Sequence, residues 1–317
     1  MSLNRLKLLK GFLNSTILSQ KMSRLSRNIG NIITKIFGYR VAYICKYPID
    51  KKAMLKELRK GIQINPIQKQ RVSKIAILFI GTSRYIEFFP RYYETLKQYF
   101  LEKTPKDFFV FTDMIDFPFL KDKKDVIIIK TEHQKWPFST LLRFRIINKV
   151  KNKLKKYSHI IFIDADMYVN SSVKEEEFFS HDKPLFAVKH DSYVNKPGEF
   201  EFNPISTASV SHNDDLSDYC VGAFWGGQRE SLLKLLEILE KRIDQDLSKN
   251  YVAKWHDESH LNKYLIENKF DVHILDPSYA YPELKPMPPR FKKKVVHLLN
   301  SPIKKNTPGK KRTSGKD

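Results

Sequence analysis

The stretch HIIFIDADMYV, His159 to Val169, decides the fold. Its four consecutive apolar residues, Ile160 to Ile163, are too short a run for a helix and show no wet face, so they read as a buried strand. The run ends directly in Asp164-Ala165-Asp166. Two carboxylates one residue apart at the carboxyl end of a parallel strand stand where open α/β sheets bind ligands. Oxygen-only donors suit Mg²⁺ or Mn²⁺, ions that keep several waters and take further ligands from substrate phosphates. Taken alone, the tripeptide is equally a strand ending in a polar turn.

Working outward, the sequence alternates from Lys74 onward. Strands are expected at Ile75–Ile80, Phe108–Thr112, Val126–Lys130, Ile160–Asp164, Leu185–Val188 and Val272–Leu275, and helices at Arg91–Phe100, Thr140–Lys156, Ser231–Asp244 and Glu258–Asn268. Such alternation predicts a largely parallel sheet flanked by helices. Neither Gly-x-Gly-x-x-Gly after the first strand nor a Gly-x-x-x-x-Gly-Lys loop is present. A nucleotide would therefore rest on a metal and side chains rather than on a glycine cradle.

A second acidic element lies downstream in WHDESHLNKYL, Trp255 to Leu265. Leu261, Tyr264 and Leu265 form an apolar stripe at helical spacing, with Asp257 as the expected N-cap. The positive end of the helix dipole is expected to keep Asp257 and Glu258 ionised, which suits a nucleophile or an electrostatic stabiliser. By itself an acidic first turn is more often plain capping. His256 and His260 are four apart, but Glu258 sits between Asp257 and Ser259, which fits neither zinc-hydrolase pattern.

Together and in this order the two elements resemble glycosyltransferase family 6, the blood-group A/B transferases and α-1,3-galactosyltransferases. Further matching segments are Ile80-Gly81-Thr82-Ser83-Arg84-Tyr85, Phe109 to Asp113, Trp136, Arg143, and Val221-Gly222-Ala223-Phe224-Trp225-Gly226-Gly227. The resemblance spans about residues 72 to 300 and implies a GT-A type, Rossmann-like nucleotide-sugar-binding domain with a mostly parallel mixed sheet. It also implies retaining transfer of galactose or N-acetylgalactosamine, in α-1,3 linkage, from a UDP-sugar to an oligosaccharide or lipid-linked glycan acceptor. By the same resemblance Asp164 and Asp166 hold Mn²⁺ or Mg²⁺, and Ile80, Gly81, Thr82 and Tyr85 receive the uridine. Arg143 and Ala165 lie along the sugar donor, while Val221, Gly222 and Ala223 tune sugar choice. His256 and Asp257 hold hydroxyls of the donor sugar, Trp255 packs on the acceptor sugar, and Glu258 is the catalytic carboxylate. A covalent glycosyl-enzyme and same-face attack both remain open. Lys292 to Lys294, Lys304 and Lys305 are candidates for the pyrophosphate, and His190 and Glu199 fall in an acceptor-side loop without a role.

Charge is distributed unevenly. Residues 1–74 hold 17 Lys and Arg against Asp50 and Glu57, a net +15; residues 290–317 hold 10 against Asp317, a net +9; the middle is close to neutral at −2. The basicity therefore belongs to the two ends, without the basic face expected of a nucleic-acid-binding body, and no nucleic acid is expected as partner. Expected divisions are a basic amphipathic extension over 1–70, the transferase domain over 71–300 and a flexible basic tail over 301–317. Residues 1–38 repeat a basic and apolar pattern that suits either a helix on an anionic membrane surface or a helper helix on the domain. No run approaches a membrane span and no signal peptide is evident, so a cytoplasmic chain is expected, with attachment to the inner membrane face left open. Cys45 and Cys220 make no disulfide framework. Two rivals stand beside the resemblance: another nucleotide-sugar transferase of the same plan, and a non-enzymatic binder held to membrane or nucleic acid by its basic ends.

Overall fold

The computed structural model describes residues 72–179, 183–288 and 291–298. All belong to the unit Lys69–Asp317. The expectations for residues 1–70 and for the tail beyond residue 300 lie outside the described residues.

Strand β1 (Ile75–Ile80) is the hinge of the design. Its alternate side chains enter two different cores. Ile75, Ile77 and Phe79 pack with Phe89, Tyr92 and Leu96 of helix α1 (Phe89–Tyr99) on one face. Ala76 and Leu78 pack on the other face. These five β1 residues have no solvent exposure, which is why the strand reads as a continuous apolar run. Strands β2 (Lys106–Thr112) and β3 (Val126–Lys130) extend the sheet from one side of β1, and β4 (His159–Ile163) pairs on the other. These four strands are parallel, so their carboxyl ends share one edge.

The chain then forms β5 (Met167–Val169), helix α5 (Glu175–Phe179), β6 (Leu185–Lys189), β7 (Cys220–Gln228) and β8 (Val272–Leu275). Between β3 and β4 lie three short helices, α2 (Phe138–Leu141), α3 (Arg143–Asn148) and α4 (Lys151–Leu154). Helices α6 (Arg229–Ser248) and α7 (His256–Glu267) follow β7. The seven-stranded sheet runs β3-β2-β1-β4-β7-β6-β8, with β7 antiparallel to both neighbours. A second sheet of three strands places β10 (Val295–His297) between β5 and β9 (Tyr281–Pro282). This mixed, mostly parallel sheet between helices is the Rossmann-like GT-A plan that was expected.

Two differences from the sequence expectations bear on the site. Strand β7 was not expected, because Gly222, Gly226 and Gly227 depress strand propensity. Their need is close approach: a Cβ on Gly226 would fall 2.7 Å from the Ile160 carbonyl, and one on Gly227, at φ +155°, 2.2 Å from that of Pro184. The single helix expected over Thr140–Lys156 is instead three pieces, interrupted at Leu142 and Val150. No Gly or Pro marks these breaks. Arg143 and Phe144, which open the second piece, are buried with 4% and no exposure. No helix among the described residues is long and apolar enough to cross a membrane.

Candidate active site

Gly222 is where the segments of the site meet. Strand β7 pairs with β4 from Phe224 to Gln228, then bulges opposite β6 between its partners Ala187 and Lys189. Such an irregularity re-aims backbone groups, and bulges concentrate beside active sites. Here it turns both polar groups of Gly222 toward side chains. The N–H donates to Glu258 Oε2 at 2.6 Å, while the carbonyl accepts from Arg143 Nη1 at 2.6 Å and from Trp225 Nε1 at 3.0 Å. A Cβ on Gly222 would lie 3.2 Å from Asp257 Oδ2 and 3.2 Å from Glu258 Cβ, so a side chain there would press on α7.

Arg143 gathers the carboxylates. Its Nη2 lies 3.5 Å from Asp164 Oδ2 and its Nε lies 3.0 Å from Asp257 Oδ2, with the guanidinium 4.7 Å over the Phe162 ring. Burial opposes its charge, but Asp257, Asp164 and Glu258 more than offset that and hold it protonated. One cation against three carboxylates leaves excess negative charge in a poorly solvated place. Burial accordingly raises all three acids. Asp257 is pushed up to about 7, with Glu258 and Asp164 adding and Arg143 opposing. Glu258 is raised by burial against the Gly222 N–H, and Asp164 by burial against Arg143, with Asp166 adding.

This corrects two expectations about α7. Its N-cap is Trp255 rather than Asp257, and no side chain caps it; instead Ser259 Oγ accepts from the Trp255 N–H at 2.9 Å. Asp257 turns inward to Arg143, and burial outweighs the helix dipole that was expected to keep its carboxylate ionised.

At the end of β4, Asp164 continues the ladder by donating its N–H to the Ala223 carbonyl, and its Oδ1 accepts from the Ala165 N–H at 3.1 Å. The Ala165 methyl packs into the core rather than the site. Asp166 meets a partner that the sequence did not suggest: His297 of β10, with Nε2 3.3 Å from Asp166 Oδ2. Against its own burial that contact raises the imidazole. The Asp164 and Asp166 side chains keep 31% and 23% exposure. Among the described residues no group of three or more His, Cys, Asp or Glu forms a cage. Two part-exposed carboxylates with room for outer ligands fit Mg²⁺ or Mn²⁺, which complete their shells with water and phosphate.

After β1, Ile80 packs on the second core and Gly81 donates to the Phe111 carbonyl. Tyr85 is 43% exposed, and its hydroxyl is raised by partial burial and by the charges of Asp166 and Asp164. Thr82 Oγ1 lies 2.9 Å from His133 Nδ1, in the segment after β3. That same segment carries Trp136, which is 73% exposed and meets the His256 ring edge-on at 5.1 Å. His256 thus faces Trp136, at φ +51°, rather than joining the carboxylates. Trp255 stands 42% exposed beside it, and Lys254 next to it pairs with Glu199 at 3.0 Å. Val221 is buried in the first core and Ala223 packs against it. His190 lies 3.3 Å from Asp191, whose other oxygen takes Lys285.

Other residues lie away from the carboxylate cluster. His260 is fully buried 3.6 Å from Asp246. Lys293 donates to the Pro282 and Glu283 carbonyls, and Lys294 pairs with Glu177 and Tyr279, so both serve structure. Lys292 is exposed, Lys304 and Lys305 lie outside the described residues, and Cys220 is a buried free thiol. Two further residues escaped the sequence reading. Tyr219 is 2% exposed, its hydroxyl raised by burial and by the Glu258 charge. Glu201, 5% exposed, accepts from the Lys254 N–H at 2.8 Å and the Tyr251 hydroxyl at 3.2 Å, fastening the loop after β6 to the chain entering Trp255. A lone Glu in a polar loop gives no sequence signal of that kind.

The sequence profile of glycosyltransferase family 6 matches residues 63–307. The O-antigen biosynthesis glycosyltransferase WbnI of Escherichia coli is 33% identical over 214 residues, covering 66% of this chain and 88% of that protein. The rat histo-blood group ABO system transferase 2 is 25% identical over 227 residues, covering 69% of this chain and 66% of the relative. The human globoside alpha-1,3-N-acetylgalactosaminyltransferase 1 is 25% identical over the same length, with 69% and 64% covered. This chain thus spans somewhat less than two thirds of the two mammalian proteins. With the profile matched across most of the chain, and with the GT-A sheet ending in Asp164-Ala165-Asp166 beneath Arg143, Asp257 and Glu258, the chain belongs to glycosyltransferase family 6.

Proposed function

We propose that this transferase moves galactose or N-acetylgalactosamine, with retention and in α-1,3 linkage, from a UDP-sugar to a galactose-containing glycan. The observation that carries the reading is the convergence on Gly222 of Arg143, Asp257 and Glu258, next to the strand end that bears Asp164. The relatives' names supply the sugar class: one is an α-1,3-N-acetylgalactosaminyltransferase.

Departure of a nucleoside diphosphate builds negative charge on its outer phosphate while the sugar becomes oxocarbenium-like. Asp164 and Asp166 would hold a divalent cation that, when bound, neutralises the diphosphate as a Lewis acid. Arg143 fixes the Asp164 carboxylate, and His297 fixes that of Asp166. Glu258 presents its charge to the sugar from a position set by the Gly222 N–H, and partial burial strengthens its pull on a developing cation. Asp257 and His256 are assigned to hydroxyls of the donor sugar and the exposed face of Trp255 to the acceptor sugar. Ile80, Gly81, Thr82 and Tyr85 receive the uridine, and Ala165 lines the site through its backbone. Val221, Gly222 and Ala223 shape the sugar pocket; a methyl at 223 rather than hydrogen favours galactose, a preference of about 1–3 kcal/mol at most.

The test is UDP release from a panel of UDP-sugars with lactose-type and fucosylated acceptors, in Mn²⁺ and in chelator. Turnover of UDP-galactose or UDP-N-acetylgalactosamine supports the reading, and turnover of a different UDP-sugar alone would reassign the donor. Absence of any UDP binding would bring the reading down.

A further inference from the structure

A second polar side chain of α7 bonds the same strand as Glu258 does. Asn262 follows Glu258 by one helical turn and is 1% exposed. Its Oδ1 accepts from the Cys220 N–H at 2.8 Å, and its Nδ2 donates to the Cys220 carbonyl at 2.8 Å and to the Glu258 carbonyl at 3.0 Å. Cys220 opens β7 and pairs with Lys189 of β6, but β4 has already ended at Ile163, paired with Phe224. The Asn262 amide thus satisfies backbone groups for which β4 provides no further strand, and its two-bond pairing imitates a ladder rung.

The spacing of the two contacts is the informative part. Four residues along a helix advance about 6 Å and two residues along a strand about 6.8 Å. Asn262 and Glu258, four apart on α7, bond the backbone at Cys220 and Gly222, two apart on β7. One helix face is therefore keyed to one strand at matched intervals. Both amide protons of Asn262 are committed and its oxygen accepts from Cys220, so its bonds go to this chain's own backbone.

We propose that Asn262 is the positioning residue of the Glu258 carboxylate, holding α7 in register on β7 through its paired bonds to the Cys220 backbone. The proposal rests on the reading of Glu258 as the reacting carboxylate only for its effect on turnover, and its structural half can be tested separately.

The experiment compares Asn262→Ala with Leu265→Ala, a core truncation on the same helix that lowers Tm without touching either rung. Hydrogen exchange at the Gly222 amide is read by NMR in both, together with kcat, the KM for the sugar donor and Tm. In Asn262→Ala the Gly222 amide should exchange about tenfold faster, the equivalent of one lost net hydrogen bond. Its kcat should fall about 100-fold, as misplaced catalytic groups do, with the KM for the sugar donor retained. Leu265→Ala should leave Gly222 exchange and kcat at wild-type values once its own Tm loss is matched. Equal Gly222 exchange in the two variants would overturn the proposal, as would a kcat in Asn262→Ala that simply tracks Tm. If Asn262→Ala does not fold, Asn262→Asp, which keeps the acceptor oxygen, decides on the same readouts. Should the wild type turn over no UDP-sugar, the functional reading fails while the Gly222 exchange still tests the register.

Discussion

Arg143 Nε stands 3.0 Å from Asp257 Oδ2 without making a hydrogen bond of good geometry, at a place where neither side chain exceeds 6% exposure. The pair is held by charge rather than by a directed bond, and the guanidinium gives its directed bonds to the Gly222 carbonyl and, at greater length, to Asp164. Lysine could not copy this arrangement, since a point charge cannot face a carbonyl and two carboxylates from a rigid fork.

Removing that cation should be costly. Arg143→Met leaves Asp257 and Asp164 uncompensated, and the expected loss of unfolding free energy is about 3–5 kcal/mol near pH 8. The loss should shrink toward pH 6, because Asp257, already at about 7 in the intact protein, then takes up a proton. Urea denaturation at the two pH values measures the difference; a loss independent of pH would disprove the charge account.

Glu258→Gln keeps an oxygen able to accept from Gly222 but loses the negative charge. It should cut kcat by about 10²–10³-fold, the usual scale for one group aimed at transition-state charge, with affinity for the sugar donor little changed. Steady-state kinetics with the active UDP-sugar decide. A large rise in donor KM at constant kcat would make Glu258 a binding residue.

Asp166→Asn should raise the Mn²⁺ concentration needed for half-maximal turnover, and chelation should silence the wild type. It should also lower the His297 pKa, which the Asp166 contact raises. Metal titration of UDP release and the pH titration of the His297 ring in NMR give two independent readings. Full activity in chelator would exclude metal dependence.

His159, 1% exposed, and His260, with no exposure, are each lowered by burial to about 4. Each is neutral when folded but takes a proton near pH 6.5 when unfolded, so its contribution is full above 6.5 and lost as pH falls toward 4. The limit is about 3 kcal/mol for each. Asp257 works in the opposite sense, since its raised pKa makes the fold bind more protons than the unfolded chain between about 4 and 7. The informative measurement is therefore the difference between wild type and His159→Phe in urea midpoints from pH 7 to 4. The variant should lose less stability on acidification, and parallel curves would count against the burial of a neutral ring.

The sheet and the site were legible to different extents. Strands β1, β3 and β8 match expectation to the residue because their apolar runs are bounded by polar or turn residues. Strand β7 was hidden, because the close approaches that demand Gly222, Gly226 and Gly227 also erase the strand signal. The acidic residues were visible as motifs, but their protonation was not: the first-turn position of Asp257 argued for ionisation, and burial, with the charges of Glu258 and Asp164 adding to it against Arg143, reverses the sign. His297 could not be found by spacing, since it reaches Asp166 through the pairing of β10 with β5.

That last pairing has a kinetic consequence. Ile75 of β1 pairs with Lys106 of β2 and with His159 of β4, whereas Val169 of β5 waits for Val295, the most distant of these partners, and closure entropy rises slowly with that separation. Arg143 and Asp164, 21 residues apart, are expected to meet before Asp166 acquires its imidazole, which needs β10 to dock and Leu298 to donate to the Asp166 carbonyl. A refolding chain should therefore regain the Arg143–Asp164 contact before the His297–Asp166 one, so the two halves of one acidic motif are expected to mature at different times.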